Sequence, residues 1–153
     1  MSVVFLLPSG MRLLRIEEGD SEAPLRLAVK TISRCASCPI CQRKSRRVHS
    51  HYWRMLEDLP CSGMAVHLRV QARRFFCGNH QCPRRIVAER LELDSAHAQR
   101  TDRLKQAQTS VGQAVGSRPG VRLAAKLSIA TSATTLLRME RADPPPSAPH
   151  HAF

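Results

Sequence analysis

An α+β chain is predicted, and three observations carry the prediction. Apolar and polar residues alternate with a two-residue period at several places in the first half of the chain, whereas helix-period spacing runs from about Ser95 to Arg141. Two close cysteine pairs, Cys38 with Cys41 and Cys77 with Cys82, lie inside the strand-type half. Only 4% of the 153 residues are aromatic, too few for one large core, so small units with an added staple are expected.

The strand-type half begins with a short apolar run, Val3 to Leu7, stopped by Pro8 and preceded by no basic residue. That run is too short for a secretion signal and far too short to span a bilayer, so the cell interior is the expected compartment. Leu13, Leu14 and Ile16 then precede the turn-like "EEGDSEAP", and Leu25, Leu27 and Val29 alternate with Arg26, Ala28 and Lys30. This predicts strand, turn, strand within residues 1–37, packed on the module that follows. In "VHLRVQARRFF" Val66, Leu68, Val70 and Ala72 share one face and His67, Arg69, Gln71 and Arg73 the other, the pattern of a half-buried strand. The tail, 143–153, holds three consecutive prolines and is expected to be extended and disordered.

In a reducing compartment six cysteines point to metal ligands or buried thiols rather than disulfides. The spacing is C-x2-C, a long insert, then C-x4-C. Two short loops that each offer two thiolates can close a tetrahedral shell around one zinc ion, and the strand ending at Phe76 delivers Cys77 directly to it. With all four positions filled by protein, the ion is structural. Residues 38–92 are therefore read as a small zinc-ribbon-like β module. Spacing alone leaves other ligands open: Cys35 stands one knuckle spacing before Cys38, and His80 lies within the second loop. A redox Cys-x-x-Cys at Cys38 and Cys41 is the poorer alternative, given the second pair. Cys61 reads as a packed small hydrophobe.

The formal charge of +12 selects polyanionic partners, nucleic acid or an anionic membrane surface, and no long basic amphipathic helix favours the membrane. After Cys41 come Arg43, Lys44, Arg46, Arg47 and Arg54, and after Cys82 come Arg84 and Arg85. A charge run is most often a solvated face. Here it abuts both knuckles and includes Tyr52 and Trp53, so phosphate contact with an aromatic packed on sugar or base is the sharper reading, and a core role for either ring the plainer one.

Residues 95–142 read as an all-α module of three short helices. Leu104, Ala107, Val111 and Ala114 mark the first; Leu123, Ala124 and Leu127 the second; and Ser132 caps the third, which turns Leu136 and Leu137 inward. The four-residue "SIAT" between the last two fits a helix-turn-helix, with Ala133, Thr134, Thr135 and Arg138 toward a DNA groove and Arg118, Arg122 and Arg141 near the backbone. A plain helical hairpin docking on another protein fits the same periodicity.

The stretches "CPICQRKSRRVHSHYWRMLEDLP", "RRFFCGNHQCPRRIVAERL" and "GSRPGVRLAAKLSIATSATTLLRMER" resemble the N-terminal region of ISL-three family insertion-sequence transposases, over about Cys38 to Arg141. The resemblance implies metal ligands Cys38, Cys41, Cys77 and Cys82, with Cys35 and Cys61 outside the set. It also implies double-stranded DNA, the element's terminal inverted repeats, as partner, a bacterial nucleoid-associated cytoplasmic location, and no small-molecule substrate. The sequence departs from the family where glycines are usual at Ser117 and Ser128, phenylalanine at Val87 and tryptophan at Cys61. Serine in place of glycine strains the backbone wherever φ must be positive. Family members continue into an RNase H-like domain with an Asp, Asp, Glu set, which this sequence does not contain. The expected role is thus a DNA-binding portion with no catalytic residue and no enzyme activity. The alternatives are a truncated regulator that pairs with or competes against full-length transposase, or a remnant without function.

Overall fold

The computed structural model describes residues 7, 8, 10–17, 23–91 and 99–142. The expectations for the 143–153 tail, the Val3–Leu7 run before its last residue and most of the "EEGDSEAP" turn lie outside these residues. The strands are β1 (Met11–Glu17), β2 (Leu25–Thr31), β3 (Ala36–Ser37), β4 (Lys44–Ser45), β5 (Val48–Cys61), β6 (Met64–Phe76) and β7 (Ile86–Ala88). The helices are α1 (Asp102–Val115), α2 (Ser117–Lys126) and α3 (Ala133–Ala142). The chain forms two compact units. One runs to Asp58 and resumes from Val66 to Thr101; the other comprises Leu59–Ala65 and the chain from Asp102 onward.

The first unit is a twisted sheet in the order β1-β2-β6-β5, with β7 also paired to β6. β1 and β2 are antiparallel, from Met11 opposite Thr31 to Glu17 opposite Arg26, with a bulge between Leu13 and Arg15. β2 and β6 run parallel, from Leu25 opposite Val66 to Lys30 opposite Gln71. The alternation seen in sequence becomes a division of faces. Leu27 opposite Leu68 and Val29 opposite Val70 are buried, joined by Leu56 of β5. Burying each of these side chains contributes roughly 1.5–3 kcal/mol. On the other face Arg26 stands opposite His67, Ala28 opposite Arg69 and Lys30 opposite Gln71.

β5 and β6 form a long hairpin whose turn places Ser62 at φ 51° and Gly63 at φ 76°. Two consecutive left-handed residues match the right-handed twist of the flanking strands. The sequence reading identified β6 but not β5. Its outward residues His49, His51, Trp53 and Met55 and its inward Asp58 break the apolar alternation that marks a strand. Asp58 is buried because Thr101 Oγ1 donates to its Oδ1 at 2.7 Å.

In the helical unit Leu104, Ala124 and Ile129 form a buried cluster against which Leu59 of the hairpin tip packs. Leu136 is fully buried, and its Cδ1 would lie 2.8 Å from a Cβ added at Gly120, so α2 and α3 meet closely there. Of the expected apolar face of α2, Ala124 is buried while Leu123 and Leu127 are exposed. Leu137 does not turn inward as predicted but is 39% exposed. It follows Leu136 by about 100° around the helix, and three short helices of this size cover only one flank of α3.

The turn after α2 closes with the Ile129 amide donating to Ala124 O at 2.9 Å and the Ser128 amide to Ala125 O at 3.1 Å. This is a Schellman stop, with Ser128 at φ 59° in the position glycine favours. The expected strain therefore falls on Ser128. At the other departure Ser117 begins α2, and Gly116 carries the positive φ, 78°. Ser128 Oγ offsets part of its strain by donating to Gly63 O at 2.5 Å. Ser132 caps α3, its Oγ accepting from the Thr135 amide at 3.2 Å.

Ser128→Ala should therefore lose a hydrogen bond and keep the strain, costing about 1 kcal/mol, whereas Ser128→Gly should change stability by under about 0.5 kcal/mol because the two effects cancel. Chemical denaturation of the two variants checks this; equal stability would show that the Ser128 bond contributes nothing.

Candidate metal centre and nucleic-acid interface

Each cysteine pair sits in the turn of a short hairpin. β3 and β4 pair Ala36 with Ser45 and Ser37 with Lys44, and the chain between them carries Cys38 and Cys41. Within this first knuckle the Cys38 amide donates to Arg43 O at 3.0 Å and the Gln42 amide to Cys38 O at 2.9 Å, with Gln42 at φ 58°. β6 and β7 pair Phe75 with Val87, and the chain between them carries Cys77 and Cys82. Here the Cys77 amide donates to Arg85 O at 2.8 Å and the Cys82 amide to Asn79 O at 3.1 Å. A further bond, from the Phe76 amide to Arg47 O at 2.9 Å, ties the chain leaving the first knuckle to the strand entering the second.

The result is one cluster of four sulfurs, all within 4.8 Å of one another. Cys38 and Cys82 Sγ are 3.8 Å apart, and Cys41 and Cys77 Sγ 3.6 Å. A tetrahedron of zinc–sulfur bonds of about 2.3 Å has edges of about 3.8 Å, so the donors fit a zinc ion in spacing, number and chemistry. Cys38 and Cys82 are buried with Ala36, Phe75 and Val87, and Cys41 and Cys77 pack against that cluster. Val87, smaller than the usual phenylalanine, still fills a buried place there.

The thiols differ in acidity. Hydrogen bonds from the Cys41 amide, then the Ile40 amide, hold Cys38 down to about 6 against the opposing effect of burial. At Cys77 the Asn79 amide acts in the same lowering sense, but burial and the neighbouring Cys41, Cys38 and Cys82 sulfurs outweigh it and push the thiol up to about 11. Cys82 is also raised, burial and the Cys38 sulfur overcoming the Arg84 amide. Knuckle amides readily stabilise one negative sulfur; four together require a cation.

Cys35 and Cys61 are half-buried thiols outside the cluster, and His80 is exposed with its carbonyl accepting from Arg85 Nη1 at 3.2 Å. Cys61 Sγ lies 3.9 Å from Ser62 Oγ at the hairpin turn.

The cationic residues predicted at the knuckles are exposed, except half-buried Arg54. Arg43 and Lys44 flank the first knuckle, and Arg46 and Arg47 lead into β5. Arg47 lies over the Phe76 ring at 4.7 Å. Arg84 Nε donates to Ile86 O at 3.4 Å. Folding brings Arg54 and Arg84 together with Tyr52 and Arg90 around a cleft of about 490 Å³. In the helical unit Arg122, Thr134 and Arg138 are exposed, whereas Thr135 is half-buried and its hydroxyl meets Ser132 Oγ at 2.9 Å. The sequence reading missed two cation–aromatic pairs on the sheet: Arg69 over Trp53 at 4.6 Å and Arg74 over Tyr52 at 4.6 Å. Neither ring is core; Trp53 is 44% exposed. The alternation of "VHLRVQARR" was the available signal for Arg69 alone, since Arg74, five residues further on, belongs to the opposite face of the strand, as Tyr52 does relative to Trp53.

Residues 34–83 match a family model described as the zinc-finger of transposase IS204/IS1001/IS1096/IS1165, a span that contains both knuckles and the strands between them. No curated protein and no solved structure matches the chain. Together the donor geometry and the match support a structural zinc site in a zinc-ribbon segment. Among the described residues no helix is long and apolar enough to cross a membrane.

One zinc per chain is expected by elemental analysis, retained in Cys35→Ser and Cys61→Ser and lost in Cys82→Ser. Zinc must displace protons from sulfurs whose acidity is weakened, so proton release should accompany binding and zinc affinity should rise with pH from about 6 upward. Titration calorimetry in buffers of differing ionisation enthalpy reads both, and pH-independent affinity would contradict the thiolate account.

Proposed function

We propose that this chain is the DNA-binding portion of an insertion-sequence transposase, that it holds the element's terminal inverted repeats, and that it does so without strand-cleaving chemistry of its own. The observation that carries the reading is the transposase zinc-finger match over the same residues that gather four thiolates beside a concentration of cations. Zinc, when bound, fixes the two knuckles against each other. The protein's own part is electrostatic: Arg43, Lys44, Arg46 and Arg47 from one knuckle and Arg84 and Arg85 from the other form no ion pair with a described carboxylate, which leaves them available to phosphates.

Sequence discrimination falls to the helical unit in this proposal. The Schellman turn and the Ser132 cap fix the junction of α2 and α3, and Thr134 and Arg138 stand exposed on α3, the helix we assign to the major groove of a helix-turn-helix. Arg122 is assigned to the flanking backbone.

Mobility shift against the inverted repeats flanking the gene tests the reading, and equal affinity for scrambled duplex would remove the specificity claim. Arg46→Ala with Arg47→Ala should weaken binding to all sequences and lower the slope of log affinity against log salt by about 2. Arg138→Ala should instead alter sequence preference, by roughly 1–3 kcal/mol at one base pair.

A further inference from the structure

The open face of the sheet holds a second basic site that owes nothing to the knuckles. Arg12 of β1, Lys30 and Thr31 of β2, Arg34 just beyond it, His51 of β5 and Arg73 of β6 surround a cleft of about 340 Å³. No carboxylate among the described residues lines it. Among the described residues Arg12, Lys30, Arg34 and His51 have no side-chain hydrogen bond or ion pair. Arg73 forms the anchored wall: its guanidinium donates to Thr31 O at 3.1 Å and to Ser33 O, and lies 3.7 Å from the buried Glu89 carboxylate.

The contrast within the same sheet decides how this cluster is read. A solvated face needs no particular arrangement of cations, yet here the carboxylates are distributed unevenly. Glu17 binds both Arg15, at 2.8 Å, and Arg69, at 3.2 Å, and Glu57 binds Arg100 at 3.1 Å. Arg15, Arg69, Arg73 and Arg100 each have a carboxylate partner in place, whereas Arg12, Lys30 and Arg34 have none among the described residues, an arrangement that favours a bound anion. The cleft also continues along the face. His51 and Trp53 are alternate residues of β5, as are Gln71 and Arg69 of β6, so the Arg69–Trp53 pair begins about 7 Å beyond the cleft.

We propose that this face is a second contact for the phosphodiester backbone of duplex DNA, with a phosphate seated between Arg12, Lys30 and Arg34 and the duplex continuing along the face toward the exposed Trp53 ring. It rests on the nucleic-acid reading for the class of ligand, and adds a surface that reading does not use. Contacts of this kind position the duplex and are indifferent to its sequence.

Trp53 is the one tryptophan of the chain and so reports on this face alone. Adding a duplex of arbitrary sequence to the zinc-loaded protein should change its emission in proportion to occupancy. Arg12→Ala, Lys30→Ala, Arg34→Ala combined should abolish that change and lower the salt slope by about 2–3. Arg12→Lys with Arg34→Lys, which keeps the charge, should preserve both, with zinc content and circular dichroism confirming that each variant is folded. In the unsubstituted protein, Lys30 should also gain protection from acylating reagent when duplex is added. Binding with unchanged Trp53 emission and an unprotected Lys30 would overturn the sheet-face contact and leave the knuckle reading intact. Loss of the salt slope in Arg46→Ala, Arg47→Ala with Trp53 still responding would locate the two contacts separately. Failure of the unsubstituted protein to bind any duplex would overturn both.

Discussion

Four thiolates drawn together within 4.8 Å are the constraint on which the first unit depends. Like charges at that spacing do not coexist in a protein interior without a compensating cation, and the divergence of Cys38 from Cys77 and Cys82 expresses it: knuckle amides lower Cys38, whereas burial and then the neighbouring sulfurs raise Cys77 and Cys82. Zinc removes that conflict. It also takes the place of apolar mass in a region where the buried cluster is no more than Ala36, Cys38, Phe75, Cys82 and Val87. A patch this small cannot hold two hairpin turns together by area alone, so sulfur–metal bonds do so.

What the metal fixes is the relative position of two loops far apart in sequence, and with them the cations that follow each. The Phe76 to Arg47 backbone bond extends the same connection by one step, setting "RRVHSH" beside the strand that delivers Cys77. Charge density at the knuckles is therefore a consequence of metal geometry rather than of composition. Composition gives +12; the fold determines where the excess stands.

Much of this was legible because its determinants are local. Ligand spacing is chemistry within a few residues, so Cys38, Cys41, Cys77 and Cys82 could be read directly, and alternation in residues 25–31 and 66–76 marked β2 and β6. Their parallel pairing could not be read, since Leu27 opposite Leu68 is a relation between distant segments that either strand would satisfy equally with another partner. β5 escaped because a strand whose outward face carries histidines and an exposed tryptophan, and whose inward face includes Asp58, has lost its periodic signal. Asp58 became tolerable only once Thr101 was in place to bond it. Leu137 was misjudged for a related reason: periodicity tells which residues share a helix face, not how much of that face a neighbour covers. The cleft on the sheet was the least legible feature of all. Arg12, Lys30 and Arg34 stand in no run of charge that would single them out, and His51, inside the basic block after Cys41, joins them only through the folding of separate segments.

On the proposed reading, the two basic surfaces and the helical unit divide the work of recognition along physical lines. Contacts to phosphate are additive, salt-dependent and blind to sequence; contacts to base edges are few and geometrically exacting. A sheet face and a pair of loops suit the first, because many cations can be spread over a wide, rigid surface. A short capped helix suits the second, because its exposed side chains move together and its axis is held by a turn that cannot drift. Ser128 shows how strictly that turn is set: its amide and that of Ile129 close the end of α2, and the chain accepts a left-handed serine, tied by its hydroxyl to Gly63, rather than relax the angle between the helices. The strain is tolerated at the joint between α2 and α3, which, for a helix assigned to base reading as proposed, is where loss of geometry would cost discrimination and not merely affinity.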